Sequence, residues 1–215
     1  MRDEPDYVEV NRTSWDRLSD TYQERHGRLL EQHDARAWGI WRIPESDLDV
    51  LGDVRGLDVL ELGCGAARWS ASLATIGARP IGLDVSHRQL EHARAMMQRA
   101  GVAFPLIEAD AEHVPLSDGS IDVIFCDHGA FSVADPMRVM PECARLLRDG
   151  GLLAFCHVSP IADLAYDSRT GRVGSRLIND YFALDRVRRN DAVEFQLRFG
   201  EWIRLFISWG STSRT

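Results

Sequence analysis

The feature that most constrains how this chain folds lies at residues 58–68. A short apolar run reaches Glu61 and Leu62 and then breaks at Gly63-Cys64-Gly65, and a run typical of a helix follows at once. A strand, a glycine turn and a helix in this order bring the free N–H groups of a helix N-terminus up to a bound small molecule. Ordinary strand-to-helix turns can share this pattern, so residues farther along the chain must decide between the two interpretations.

Strands and helices alternate along the middle of the chain. Apolar runs predict strands at 59–62, 80–84, 104–108, 121–126 and 152–157, and the segments between them predict helices at 66–76, 86–100 and 136–148. Short connections of this kind imply parallel strands, right-handed crossovers and helices on both faces. The predicted fold class is therefore α/β, with a doubly wound, Rossmann-like, mostly parallel sheet.

The segments on either side of this alternation predict two further parts. Residues 1–52 are expected to form an N-terminal helical lid, because apolar and aromatic side chains recur at helical intervals over 8–42. Residues 53–157 form the predicted Rossmann-like core. Residues 158–215 are expected to be an insertion and an incomplete C-terminal part, because the final stretch is short, polar and unlike a strand.

Acidic residues and histidines stand where the predicted strands end, which is where such sheets bind their ligands. Asp84 is placed to accept both hydroxyls of a ribose, with stabilisation of the next helix as the alternative. Asp110 and the N–H of Ala111 are placed to bind an adenine edge, with a local Asx-type turn as the alternative. Together these positions predict a site for an adenosine compound.

Two features argue against a dinucleotide or a simple phosphate ligand. Arg68 stands where a dinucleotide fingerprint needs a third glycine, and the Gly-Lys-Ser/Thr sequence of a phosphate loop is missing. Glu61 would add negative charge beside a pyrophosphate, whereas it suits a cation such as a sulfonium with an ammonium group. A nicotinamide-dependent oxidoreductase is therefore the weaker alternative.

Several segments, taken together and in order, resemble the class I S-adenosylmethionine-dependent methyltransferases, in the branch that acts on small molecules. The segments are the glycine motif 59–65, the acidic motif 82–86, the adenine motif 108–111, the fourth strand 120–125 and the turn 146–152. The resemblance implies S-adenosylmethionine as the methyl donor and a small molecule as the acceptor. It also implies that the cofactor is bound by Glu61, Gly63, Cys64, Gly65, Asp84, Val85, Asp110, Ala111, Asp127 and, on the lid, Tyr22.

His128 and Asp127, after the fourth predicted strand, are the candidate catalytic residues. A histidine can take the proton of a hydroxyl acceptor near neutral pH. A base is not needed when the acceptor has no proton to lose. Weaker candidates for the same base are His157, His26 and His33. Gly129 is expected to serve a turn and to leave room for the substrate.

Composition limits the remaining function classes. The net charge of −8 argues against nucleic-acid or anionic-membrane binding. The four scattered cysteines predict reduced thiols and no metal site. No stretch approaches the roughly 18 apolar residues of a membrane span, and no apolar signal core begins the chain, so the cytoplasm is the expected location.

The end of the chain departs from the family pattern. By the resemblance, two closing strands should follow residues 194–206, and the sequence after them does not read as strand. A sheet without these strands would expose an edge, which makes a homodimer possible. Because these strands are missing from the sequence, the main alternative is that the protein is a catalytically impaired relative that binds S-adenosylmethionine.

Overall fold

The computed structural model of the protein describes residues 7–31, 35–189 and 191–210, and His33 lies outside these ranges. The helices in this part are α1 (Tyr7–Glu31), α2 (Glu45–Leu48), α3 (Arg68–Thr75), α4 (His87–Ala100), α5 (Ala130–Val133), α6 (Pro136–Leu146), α7 (Pro160–Leu164) and α8 (Phe199–Gly210). The strands are β1 (Ala37–Trp38), β2 (Ile43–Pro44), β3 (Asp58–Leu62), β4 (Arg79–Asp84), β5 (Leu106–Glu108), β6 (Ile121–Asp127), β7 (Leu147–Cys156), β8 (Tyr166–Asp167), β9 (Arg172–Val173), β10 (Arg186–Arg189) and β11 (Ala192–Phe195). Within these residues no helix is both long and apolar enough to cross a bilayer.

A five-stranded parallel sheet forms the centre of the molecule, with strand order β5-β4-β3-β6-β7. The chain builds outward from β3 to β5 on one side and then returns to add β6 and β7 on the other. This reversal places a switch point between β3 and β6, where open α/β sheets bind their ligands. The predicted α/β class is confirmed.

Apolar clusters cover both faces of the sheet, because successive side chains of a strand point to opposite faces. Leu60 faces the cluster that contains Val139 of α6. Val59 faces the opposite cluster, where it packs with Trp69 of α3. Glu61 follows the direction of Val59 and therefore points toward α3, which matters for the site described below.

Several predicted boundaries are wrong. The segment 8–42 is expected to be helical, but the helix ends at Glu31. Farther along, β1 and β2 pair as a small antiparallel hairpin. Strand β7 begins at Leu147, earlier than predicted. Its pairing with β6 shifts in register between Leu147 and Leu152, so the strand continues through Gly150. Residues 194–206 are expected from the resemblance to form the last helix, yet Glu194 and Phe195 belong to β11, which pairs with β10, and the helix begins at Phe199.

The sheet ends at β7 within the described residues. Strand β7 pairs with β6 and has no strand on its other side in this part of the chain. Helix α8 follows and contributes Trp202 and Leu205 to the cluster that includes Val139 of α6. The C-terminal helix therefore covers one face of the sheet and leaves the edge of β7 unpaired within the described ranges.

Helix α1 packs against α4 and β11 and is held by hydrogen bonds from buried or half-buried polar side chains. The Asn11 amide donates to the carbonyl oxygens of Val133 and Val193 at 2.7 and 2.9 Å. Its own oxygen accepts from the Val193 N–H at 2.7 Å. One turn and more along the helix, Asp16 accepts from the Ser86 hydroxyl at 2.6 Å and from the Arg88 N–H at 3.1 Å. The helix is thus fixed to α5, to β11 and to the start of α4.

We expect Asn11→Ala to lower the free energy of unfolding by about 1–3 kcal/mol. Asn11 is 1% exposed, and the substitution leaves its buried N–H and C=O partners unpaired. Urea denaturation measures the change. Arg12→Ala is the matched control, because Arg12 forms an exposed pair with Glu9 and should change stability by less than about 0.5 kcal/mol. Equal effects of the two substitutions would contradict the assignment.

Candidate functional site

A cavity of about 210 Å³ opens at the carboxyl ends of the central strands, beneath α1. Every residue predicted to bind the cofactor borders this cavity, and so does His128. Further lining residues that the sequence did not suggest come from α1, the β1–β2 hairpin, α3 and α4. They include Trp15, Gln23, Arg42, Trp69 and Gln89.

The turns after β3 and β6 touch each other through two glycines. A Cβ on Gly63 would lie 2.4 Å from the backbone nitrogen of Ala130, and a Cβ on Gly129 would lie 2.5 Å from the carbonyl oxygen of Leu62. The space that Gly129 leaves is therefore filled by backbone, and the prediction that it makes room for a substrate is wrong. Gly65 differs, because a Cβ there would meet nothing closer than 3.7 Å. Its position suits close approach of a ligand.

Glu61 is a buried carboxyl group at the end of β3. It accepts hydrogen bonds from the N–H of Ser70 at 3.0 Å and from the Ser70 hydroxyl. Burial raises the pKa of Glu61 to about 8, and the negative charges of Asp127 and Asp84 add to the shift. The fold therefore places an acid that resists ionisation against the wall of the cavity.

Asp84 links the glycine turn to the start of α4. One carboxylate oxygen accepts from the Gly65 N–H at 2.8 Å and the other from the Ser86 N–H at 2.9 Å. Burial raises the pKa of Asp84 to about 6, although these hydrogen bonds offset part of the effect. Each carboxylate oxygen can accept a further hydrogen bond. The local role of Asp84 is thus present in the structure, and its ribose role stays a prediction.

Asp110 and Ala111 border the opposite end of the cavity, after β5. Asp110 accepts from the Glu112 N–H at 3.0 Å, which is the local turn considered as the alternative. Ala111 is buried, and Val85 borders the same region. The adenine role of Asp110 and Ala111 therefore also stays a prediction.

Asp127 and His128 lie together after β6, at the end of the cavity near the β1–β2 hairpin. Asp127 accepts from the Gly39 N–H at 2.9 Å; burial raises the pKa of Asp127, and this hydrogen bond offsets part of the increase. His128 has a φ of 52°, a left-handed conformation that few non-glycine residues adopt. Its Nε2 lies 3.6 Å from the Sγ of Cys156. Neither Gly39 nor Cys156 carried a sequence signal, because both reach Asp127 and His128 only through tertiary structure.

The side chains of Asp127, His128 and Cys156 form a cluster that could also suit a metal ion. Their potential ligand atoms all lie within 4.8 Å of one another. The scattered cysteines gave no metal-binding spacing in the sequence, so this cluster was not foreseen. The absence of a metal site stays a prediction.

Two of the weaker histidine candidates, His157 and His26, do not border the cavity. The Nδ1 of His157 hydrogen-bonds the carbonyl oxygen of Val158 at 2.7 Å, and its ring lies beside Trp202. The Nδ1 of His26 hydrogen-bonds the carbonyl oxygen of Tyr22 on the exposed part of α1. Among the described histidine candidates, His128 is the one that borders the cavity.

Comparison with known proteins identifies similar sequences. Residues 60–155 match the family model described as a methyltransferase domain. The chain is 34% identical over 158 residues to methyltransferase GfsG from Streptomyces halstedii, which covers 71% of this chain and 54% of that protein. It is 30% identical over 139 residues to the demethylmenaquinone methyltransferase of Lactococcus lactis subsp. lactis, which covers 62% of this chain and 52% of that protein. The chain spans about half the length of these curated relatives.

A solved structure shares the architecture. The S-adenosylmethionine dependent methyltransferase from Mesorhizobium loti aligns with a TM-score of 0.63 at 24% sequence identity. The alignment covers 77% of this chain and 78% of that chain. At this identity the likeness shows a common fold.

The buried carboxyl groups predict how stability depends on pH. The pKa of Glu61 is about 8 in the folded protein and near 4.5 when unfolded, so the folded state binds more protons between these values. We therefore expect the free energy of unfolding to fall as pH rises from 5 to 8. Glu61→Gln removes this contribution and should flatten the dependence, by up to about 1.4 kcal/mol per pH unit. Urea denaturation across this pH range measures the slope.

Asp53→Asn provides the control for this experiment. Asp53 pairs with Arg55 on the surface, and this hydrogen bonding lowers the pKa of Asp53 to about 2. Both its folded and its unfolded pKa lie below the tested range, so the slope between pH 5 and 8 should match that of the native protein. If Glu61→Gln also keeps the native slope, Glu61 does not titrate in this window.

Proposed function

We propose that this chain binds S-adenosylmethionine and transfers its methyl group to a small-molecule acceptor, because residues 60–155 match the family model of a methyltransferase domain. The observation that carries the proposal is that every residue predicted to bind this cofactor borders the same cavity. The names of the relatives, which include a demethylmenaquinone methyltransferase, support methyl transfer to a small molecule.

The residues of the cavity fit the parts of this cofactor. In the proposal, Asp110 and Ala111 bind the adenine, and Asp84 uses its remaining lone pairs to accept from the ribose hydroxyls. The methionine part lies along the turn at Gly65, where no Cβ blocks the backbone. When bound, S-adenosylmethionine would supply a methyl group attached to a positively charged sulfur. This sulfur is a good leaving group because it departs as a neutral thioether.

Electrostatics favours a cationic ligand over a dinucleotide. Glu61, Asp84 and Asp127 all border the cavity, and burial raises the pKa of each. A sulfonium and an ammonium group would stabilise the ionised forms of these carboxyl groups. A pyrophosphate would instead add negative charge beside them. This is the reason to prefer a methyltransferase to the nicotinamide-dependent alternative.

The acceptor is proposed to react beside Asp127 and His128. The protein's main contribution is to hold the acceptor in line with the methyl group, since alignment supplies a large share of the acceleration in such displacements. For a hydroxyl acceptor, His128 takes the proton as the oxygen attacks the methyl carbon. The bound cofactor would supply the methyl group from its sulfonium and would leave as the thioether S-adenosylhomocysteine.

The unpaired side of β7 supports the proposal of a homodimer. An edge strand presents backbone N–H and C=O groups that a second strand can pair with. Light scattering in solution distinguishes a dimer from a monomer, and a monomer mass at high protein concentration would overturn this part of the proposal.

We expect Asp84→Asn to weaken binding of S-adenosylmethionine and S-adenosylhomocysteine at least tenfold. The substitution removes a charged acceptor, whose hydrogen bonds contribute about 1.5–3 kcal/mol. Calorimetric titration measures the affinities, with Asp53→Asn as a surface control that should bind like the native protein. Binding of NAD without binding of either thioether nucleoside would contradict the proposed function.

We expect His128→Ala to lower kcat by about 10²–10⁴ for a hydroxyl acceptor while leaving the affinity for S-adenosylmethionine within about threefold. The acceptor is found by a mass-shift screen of cell extract with methyl-labelled cofactor. His157→Ala is the matched control, because His157 lies outside the cavity and should leave kcat unchanged. Cofactor binding without transfer to any compound would favour the catalytically impaired relative.

A further inference from the structure

The hairpin at residues 37–44, called the rim hairpin below, presents two large apolar side chains to water. Trp41 is 82% exposed and Ile40 is 76% exposed. Within the described residues no large apolar side chain is more exposed than Trp41. Single exposed apolar residues are common on proteins, so the exposure acquires meaning only from where the hairpin lies and how it is held.

The rim hairpin is held in a defined position. Trp38 is buried, and its ring packs against Trp69 and Phe125 with centroids 4.9 and 6.3 Å apart. The Arg42 N–H donates to the Gly39 carbonyl oxygen at 3.1 Å and closes the turn. Arg42 has a φ of 52°, a left-handed conformation that costs free energy for a residue other than glycine. The fold therefore stabilises a strained turn that keeps Ile40 and Trp41 in water.

The base of the same turn contacts the cavity wall. The Gly39 N–H donates to Asp127, and a Cβ on Gly39 would lie 3.0 Å from the Sγ of Cys156 and 3.7 Å from the Nε2 of His128. Arg42, on the other side of the tip, borders the cavity. Ile40 and Trp41 thus stand between Gly39, which is hydrogen-bonded to Asp127, and Arg42, which borders the cavity, at the end where the acceptor is proposed to react.

We propose that the methyl acceptor has an apolar body or tail that lies across Ile40 and Trp41 while its reacting group enters beside Asp127 and His128. This inference rests on the proposed function. The residues assigned to the cofactor border the cavity from the end of β5 to Asp127. In the proposal, the part of an acceptor that does not react extends past Asp127, and the rim hairpin contacts Asp127 through the Gly39 N–H.

The size of this apolar surface favours a small molecule over a protein partner. A tryptophan and an isoleucine on one turn offer on the order of 300–400 Å², whereas a stable protein interface needs about 800 Å² from each partner. A small apolar body covering both side chains removes most of that surface from water. Each methylene group buried against them should then tighten binding about fourfold.

The test uses protein saturated with S-adenosylhomocysteine and a series of probes: phenol, 4-butylphenol and 4-hexylphenol. Calorimetry measures the affinity of each probe for the native protein, Trp41→Ser and Phe182→Ser. Phe182 is 76% exposed and does not border the cavity, which makes it the matched control. We expect affinity to rise with alkyl length in the native protein and in Phe182→Ser, and this rise to be lost in Trp41→Ser.

The affinity for S-adenosylhomocysteine should be the same in all three proteins, which separates this inference from the proposed function. If the native protein does not bind S-adenosylhomocysteine, the proposed function and the inference both fail. If it binds, and the gain with alkyl length is missing or persists in Trp41→Ser, the inference alone fails. If probe affinity does not change with alkyl length and Trp41 is required for dimerisation, the tip binds a second copy of the chain. If probe affinity does not change and Trp41 is required for sedimentation with phosphatidylcholine vesicles, the tip binds a lipid surface.

Discussion

The backbone contact between the turns after β3 and β6 is the constraint on which the site depends. Gly63 and Gly129 approach so closely that a Cβ on either would overlap the backbone of the other turn. This contact lies at the switch point of the sheet, and it brings the glycine turn and the Asp127-His128 segment to one cavity. The glycine at position 63 is therefore required by the protein itself, while Gly65 is the one whose open side faces the ligand space.

The second constraint is electrostatic. The fold gathers Glu61, Asp84 and Asp127 around one cavity, although burial disfavours their ionised forms and raises their pKa values. Such an arrangement lowers the stability of the ligand-free protein at neutral pH, because the unfolded chain can ionise these groups freely. A cationic ligand would offset that cost. The destabilising charges and the proposed choice of cofactor thus follow from the same residues.

Helix α1 and the rim hairpin both contribute residues to the cavity wall, and they are held in place in different ways. Helix α1 is fixed by polar side chains, with Asn11 bound to the backbone of α5 and β11 and Asp16 bound to the start of α4. The rim hairpin is fixed by burial of Trp38 and by the hydrogen bond from Gly39 to Asp127. The first arrangement covers the space assigned to the cofactor, and the second presents apolar surface where the acceptor would enter.

The sequence by itself determined the parallel strands and the strand-end residues that border the cavity, because strand alternation and residues at strand ends are local patterns. It did not reveal that the first helix ends at Glu31, that Gly129 packs on backbone, or that Cys156 and Gly39 meet Asp127 and His128. Only the tertiary structure decided these points, since each depends on segments far apart in the chain coming together. The exposure of Trp41 has the same origin, because the sequence does not show which side chains the fold leaves in water.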